Sequence, residues 1–232
     1  MVSGSCKEKL ILYYGFDRLE ELLRYEKVVL QPDHYTEEEL CFLKNGGATP
    51  LAYLSVGEDP GSDAPWCIPG KRSEWGSFWV DPRHPEWVAR LLEKTRSVLA
   101  KGFLGLFLDT LDTAAEVSRE GALYLVKSIR NEAKKAYILA NRGFALLPEL
   151  AQYVNGILFE SFSTTHSPWY ARLPEDRLRQ NEIIAYYLKT FGKELFALDY
   201  ADSEELRVFA RQRARNLGLY PVVSDKHLLF LS

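Results

Sequence analysis

Eight short apolar runs, separated by longer amphipathic stretches, constrain the fold of this chain more than any other feature. They are Leu10–Tyr14, Val28–Gln31, Leu51–Val56, Leu104–Asp109, Ala136–Ala140, Gly156–Glu160, Leu195–Asp199 and Tyr220–Val223. Each is rich in branched or aromatic residues and too short for a buried helix, so each reads as a strand. The intervening stretches carry apolar residues at helical spacing. They read as helices over Phe16–Tyr25, Thr36–Asn45, His84–Ala100, Ala114–Lys134, Phe144–Val154, Arg177–Phe191 and Ser203–Leu217. Thr36 and Glu39 form a capping box, and Gly218 suits the end of the last helix. Asp81 and Asp202 read as helix caps.

Strictly alternating strands and helices imply an α/β fold with a parallel sheet, and eight strands imply a single-domain (β/α)8 TIM barrel. An open doubly wound sheet is the alternative, but no GxGxxG or Walker loop is present. After the eighth strand only Ser224–Ser232 remains, so the final helix is expected to be short or missing, which leaves room for a neighbouring domain. Residues 1–9 are expected as a flexible N-terminus, with the barrel over residues 10–232.

With 232 residues and 47% hydrophobic composition the chain can bury a substantial core. The net charge of −3 gives no electrostatic footprint for nucleic acid. No apolar stretch is long enough to span a membrane. The opening MVSGSCKEKL lacks the apolar region of a secretory signal. Cys6, Cys41 and Cys67 form no CxxC pair and read as incidental. His34, His84, His166 and His227 are scattered, so no zinc pattern and no cofactor is expected.

Chemistry is concentrated where the strands end. In GLFLDTLD, an apolar strand runs into Asp109 and, three residues on, Asp112. The sixth strand ends at Glu160. The other ends supply Tyr14, Asp33, Tyr53, Glu58, Asn141, Arg142, Asp199 and Tyr200. In a barrel of this class, strand C-terminal ends and the loops after them hold the active site. Asp109 and Glu160 stand at the last inward position of apolar strands, which is costly for a carboxylate unless it is paired or working. Strands two apart lie about 9–10 Å from each other. Inward-leaning carboxyls on them suit a glycosidase pair, with about 5–5.5 Å implying retention and about 6.5–9.5 Å inversion. Asp112 is open to three readings: a support for Asp109, a contact to a substrate amine, or a helix cap.

Two long connections, Gly57–Val80 and Ser161–Glu175, carry Trp66, Trp75, Phe78, Trp79, Trp169 and Tyr170. Flat rings stack on the C–H faces of sugars, although such residues also anchor loops. Surplus carboxylates favour a cationic ligand such as an amino sugar. The rival readings are a metal-dependent hydrolase, with Asp109, Asp112 and Glu160 on a hard cation, and a carbohydrate-binding barrel without turnover.

YYG at Tyr13–Gly15, YLSVGE at Tyr53–Glu58, WGSFWVD at Trp75–Asp81, GLFLDTLD, NRGF at Asn141–Phe144 and FESF at Phe159–Phe162 occur in that order. In this ordered set the chain resembles the family 114 glycoside hydrolases, which include the hydrolase domain of the Pel exopolysaccharide modification enzyme. The resemblance covers nearly the whole chain. It implies a TIM-barrel endo-α-1,4-galactosaminidase that cuts galactosamine or N-acetylgalactosamine polysaccharide with retention. Asp109 matches the family nucleophile and Glu160 its acid/base. Asp33, Tyr53, Glu58, Asn141, Asp199 and Tyr200 are then expected along the sugar subsites, with Tyr14, Asp112, Arg142 and Trp169 as further substrate contacts. Relatives are exported and those of the Pel type carry further domains, so an extracytoplasmic or secreted setting and a polysaccharide partner are what the resemblance implies.

Overall fold

The computed structural model describes residues 7–61 and 63–231. Eight parallel strands form one sheet: β1 (Glu8–Tyr13), β2 (Tyr25–Leu30), β3 (Thr49–Ser55), β4 (Gly105–Asp109), β5 (Tyr137–Asn141), β6 (Gly156–Glu160), β7 (Glu194–Tyr200) and β8 (Tyr220–Ser224). Their spatial order follows their order in the chain. Helices α1 (Leu19–Leu22), α2 (Glu37–Asn45), α3 (Pro85–Lys101), α4 (Leu111–Val117), α5 (Arg119–Glu132), α6 (Glu175–Lys189) and α7 (Glu204–Asn216) lie between them. This is the (β/α)8 TIM-barrel topology. Among the described residues no helix follows β8, as the short tail implied.

All eight predicted strands are present, and β6 has the predicted bounds. The reason is burial: Gly105–Leu108 and Gly156–Phe159, for example, have no exposed residue, so each strand reads as a continuous apolar run. β1 starts two residues ahead of the predicted run, at Glu8. Residues 1–6 of the expected N-terminal segment, Cys6 included, lie outside the described residues. Cys41 and Cys67 are free thiols.

The helices depart more. The segment expected over Phe16–Tyr25 keeps only the four residues of α1. The one expected over Ala114–Lys134 breaks at Ser118, whose extended backbone ends α4 and whose hydroxyl accepts from Gly121 N to cap α5. Phe144–Val154 is two 3-10 turns, 144–146 and 149–152, with Pro148 between them. An interior proline removes a helical donor and clashes with the preceding turn. Neither Asp81 nor Asp202 caps a helix. His84 precedes α3 without a side-chain cap, and Ser203 caps α7 by accepting from Leu206 N. Thr36 and Glu39 do form the capping box.

The chain divides into two compact units. The first takes in the residues up to Ala52, Phe159–Thr190 and those from Leu195 onward. In it β1 pairs with β2 and lies beside β8, and β8 pairs with β7. A two-stranded ribbon, Thr164–Thr165 against Ala171–Arg172, occupies the connection after β6.

The second unit is Tyr53–Leu158 with Phe191–Glu194. There the long connection after β3 is itself a small antiparallel sheet, with Phe78–Val80 between Glu58–Asp59 and Cys67–Arg72. Trp66 is built into this extension. Its indole N–H donates to Asp59 Oδ2 at 2.8 Å and its ring lies 5.9 Å from that of Trp87. Loop anchoring, rather than an exposed sugar platform, explains Trp66.

Candidate active site

In the second unit, β4 lifts Asp109 to its C-terminal end, half-buried above four fully buried residues. Each carboxylate oxygen takes one strong donor. Tyr53 Oη, from β3, donates to Oδ2 at 2.8 Å, and Asn141 Nδ2, from the end of β5, donates to Oδ1 at 2.8 Å. Two such donors, one on each oxygen, fix the plane of the carboxyl group. Burial, followed by the Asp109 charge and its hydrogen bond, pushes the Tyr53 phenol far above its ordinary range. Tyr53 is therefore a neutral donor at any working pH.

Thr110 holds the strand end in place. It sits in the left-handed region with φ 60°. Its Oγ1 donates to the Asp109 carbonyl at 2.6 Å and accepts from Val56 N at 3.1 Å and Gly57 N at 2.8 Å. Ser55 Oγ lies 3.0 Å away. Gly57 is required by this close approach, because a Cβ there would come within 2.4 Å of the Thr110 carbonyl oxygen and 2.6 Å of Ala114 N.

In the first unit, β6 ends at Glu160, half-buried above a fully buried strand. The Tyr200 phenol, at the end of β7, donates to Glu160 Oε1 through a short hydrogen bond. The His166 ring stands edge-on against Tyr200, with centroids 4.5 Å apart. Here too the next residue, Ser161, is left-handed, with φ 53°. Buried Asn181, on α6, donates to the carbonyls of Ser161 at 3.3 Å and Phe162 at 3.0 Å.

The family model of glycoside-hydrolase family GH114 matches residues 26–229. The chain belongs to glycoside-hydrolase family GH114. Among solved structures it is similar to the glycoside hydrolase domain of PelA from Pseudomonas aeruginosa. The two are 29% identical, with a TM-score of 0.87 and 96% of each chain covered. It shares its fold with Aspergillus fumigatus Ega3, solved in complex with galactosamine, at 13% identity and a TM-score of 0.72 over 96% of this chain and 92% of that one. Two uncharacterized proteins are also similar. One, from Methanocaldococcus jannaschii, is 24% identical over 208 residues, covering 78% of this chain and 60% of that protein. The other, from Deinococcus radiodurans, is 28% identical over 202 residues, covering 82% and 64%. The chain thus spans less than two thirds of the length of these two relatives.

Beside these GH114 strand ends the other expected contacts fall into two groups. Glu58 accepts from Thr113 Oγ1 at 2.9 Å. Burial pushes its carboxyl up, opposed by the Thr113 and Ser73 hydroxyls and reinforced by the Asp109 charge. Asp112 is not a helix cap. It lies in the first turn of α4 and accepts from Arg142 Nε at 2.8 Å and from Gly143 N at 3.1 Å, which anchors the turn after β5. Arg142 is thereby committed to Asp112. Tyr14 is half-buried, with its backbone N–H on the Leu228 carbonyl. Asp33 is exposed on the 3-10 turn Pro32–His34, and Trp169 is 70% exposed.

Two of the expected contacts are buried. Asp199 has no exposed surface and its Oδ1 accepts from Ser163 N at 2.6 Å and Thr164 N at 2.8 Å. Tyr200 is 4% exposed and spends its hydroxyl on Glu160. Both side chains are engaged by neighbouring groups of the first unit. The sequence reading also missed Thr110, Thr113, Thr164 and Asn181, whose partners lie on other elements.

No group of three or more His, Cys, Asp or Glu side chains able to hold a metal ion is gathered among the described residues. Nor is any helix among them long and apolar enough to cross a membrane.

Proposed function

We propose that this chain is an endo-acting, retaining glycoside hydrolase that cleaves α-1,4-linked galactosamine or N-acetylgalactosamine polysaccharide. The observation that carries the reading is Asp109, a carboxyl group held by Tyr53 and Asn141 at the end of β4, in a chain belonging to GH114. Likeness to the PelA hydrolase domain and a shared fold with a galactosamine-bound protein support the substrate class. In this reading Asp109 attacks the anomeric carbon while Glu160 gives its proton to the leaving oxygen. Glu160 then takes a proton from water as that water releases the sugar from Asp109. Asp33, Glu58, Asp112 and Trp169 are the proposed sugar contacts, with the carboxylates favouring a free ammonium.

The test is release of reducing ends from a partly deacetylated α-1,4-galactosamine polymer by the wild type, Asp109→Asn and Glu160→Gln. Activity lost by orders of magnitude in both variants supports the pair. Activity surviving in either variant removes that residue from the mechanism. Wild-type binding without turnover points instead to a carbohydrate-binding barrel.

A further inference from the structure

Asp199 lies outside the proposed chemistry, yet its contacts converge on Glu160. Its Oδ1 accepts from the backbone N–H groups of Ser163 and Thr164 at 2.6 and 2.8 Å, three and four residues after Glu160. Thr164 Oγ1 points at the same oxygen, 3.4 Å away, and accepts from Tyr200 N at 2.9 Å. Tyr200 follows Asp199 on β7 and closes the circuit by donating to Glu160. Every member is buried except Glu160 itself, which is half-buried. The left-handed turn at Ser161 starts the loop that this circuit ties down, and Asn181 holds its carbonyls from α6.

A buried carboxylate is an expensive way to close a loop. Asp199 Oδ2 and the nearby Ser163 Oγ are both buried with no hydrogen-bond partner, so the site accepts a desolvation cost for a single well-used oxygen. A purely structural closure needs only the loop amides satisfied. Here the acceptor also fixes, through Thr164 Oγ1, the backbone that carries Tyr200.

We propose that Asp199 is a positioning residue for Glu160, clamping the Ser163–Thr164 loop to β7 so that Tyr200 and Glu160 are held in one geometry. The proposal rests on the role given to Glu160 above. The oxygen acceptor carries the effect, so Asp199→Asn retains it and Asp199→Ala does not.

Two measurements test this on the whole chain. The first is turnover of the galactosamine polymer. Asp199→Ala is expected to lower kcat about 100-fold with KM within about threefold, the scale of a misplacement of about 1 Å, while Asp199→Asn stays within about threefold of wild type. Leu125→Ala, a core truncation on α5, controls for destabilisation and is expected to lower Tm with kcat kept. The second needs no substrate. With position 200 labelled as 3-fluorotyrosine, its 19F resonance is expected to move in Asp199→Ala towards its value in Glu160→Ala, and to stay put in Asp199→Asn and Leu125→Ala. An unmoved resonance in Asp199→Ala, or a fall in Tm with kcat intact, overturns the clamp. If the wild type fails to turn over the polymer, the proposed activity falls and the 19F result alone decides the clamp.

Discussion

Removing the charge of Asp199 while keeping its shape gives a quantitative test of how this fold supports its site. Asp199 is fully buried, and burial outweighs the donors of the Ser163–Thr164 loop, raising its carboxyl from 3.8 to about 6. Between those values the native chain keeps a proton that the unfolded chain has released. The native state then binds more protons, so stability falls as pH rises. At about 1.4 kcal/mol per pH unit, the rise from 3.8 to about 6 costs about 3 kcal/mol once pH is above 6. Asp199→Asn removes that cost and keeps Oδ1 as an acceptor. Urea unfolding of both proteins from pH 3.5 to 7.5 isolates the effect, because every other titrating group cancels in the difference. The stability of Asp199→Asn relative to wild type is expected to rise by about 3 kcal/mol across this range, with most of the rise below pH 6. A flat difference would refute the reasoning. A falling one would mean that the donors outweigh burial and hold the carboxyl below its ordinary range.

Tyr53→Phe removes one charge-assisted donor from Asp109. At about 1.5–3 kcal/mol for such a bond, kcat/KM is expected to fall about 10- to 100-fold, read by reducing-end assay, with Tm nearly unchanged. Gly57→Ala drives a methyl against the backbone of Thr110 and Ala114, and differential scanning calorimetry is expected to show Tm lower by roughly 5–10 °C. Asp112→Ala breaks an ion pair whose side chains are 40% and 47% exposed, so urea unfolding should change by no more than about 1 kcal/mol. Its effect is expected on KM, through the released turn at Arg142–Gly143. Dialysis against EDTA is expected to leave turnover unchanged, and activity lost to the chelator and restored by Mg²⁺ or Ca²⁺ would return the metal-dependent reading.

The strands of this chain were legible because parallel strands are buried on both faces, and short apolar runs such as Gly156–Glu160 have few other uses. The placement of Asp109 and Glu160 at strand ends was legible for the complementary reason: each is the single charge ending such a run. Helix bounds failed where a residue had a competing local use. Ser118 serves as a cap for α5 inside a stretch periodic enough for one long helix, and Pro148 divides another. The supports were not legible at all. Thr110, Thr164 and Asn181 are ordinary polar residues in sequence, and their importance comes from partners on other elements. The burial of Asp199 and Tyr200 was not legible either. Asp and Tyr at a strand end look like ligand contacts in sequence, and their hydrogen bonds to Ser163, Thr164 and Glu160 come from the fold.

The backbone shows what those supports oppose. Thr110, Arg142 and Ser161 each follow a strand-end residue, Asp109, Asn141 and Glu160, and each is left-handed with φ of 60°, 53° and 53°. Non-glycine residues seldom adopt this conformation, and each instance costs of order 1–3 kcal/mol. Glycine would relieve the strain at all three, so side chains there must return more than they cost. For two of them the return is visible. Thr110 Oγ1 gathers the Asp109 carbonyl and two amides of the facing loop, and Arg142 grips Asp112. At Ser161 the support comes from outside, through Asn181 and the Asp199 circuit. A left-handed residue turns the chain sharply out of the ladder, so the preceding side chain is the last one the rigid strand aims. The sheet thus fixes where Asp109 and Glu160 stand, and the strained turns with their buried anchors fix where the chain goes next.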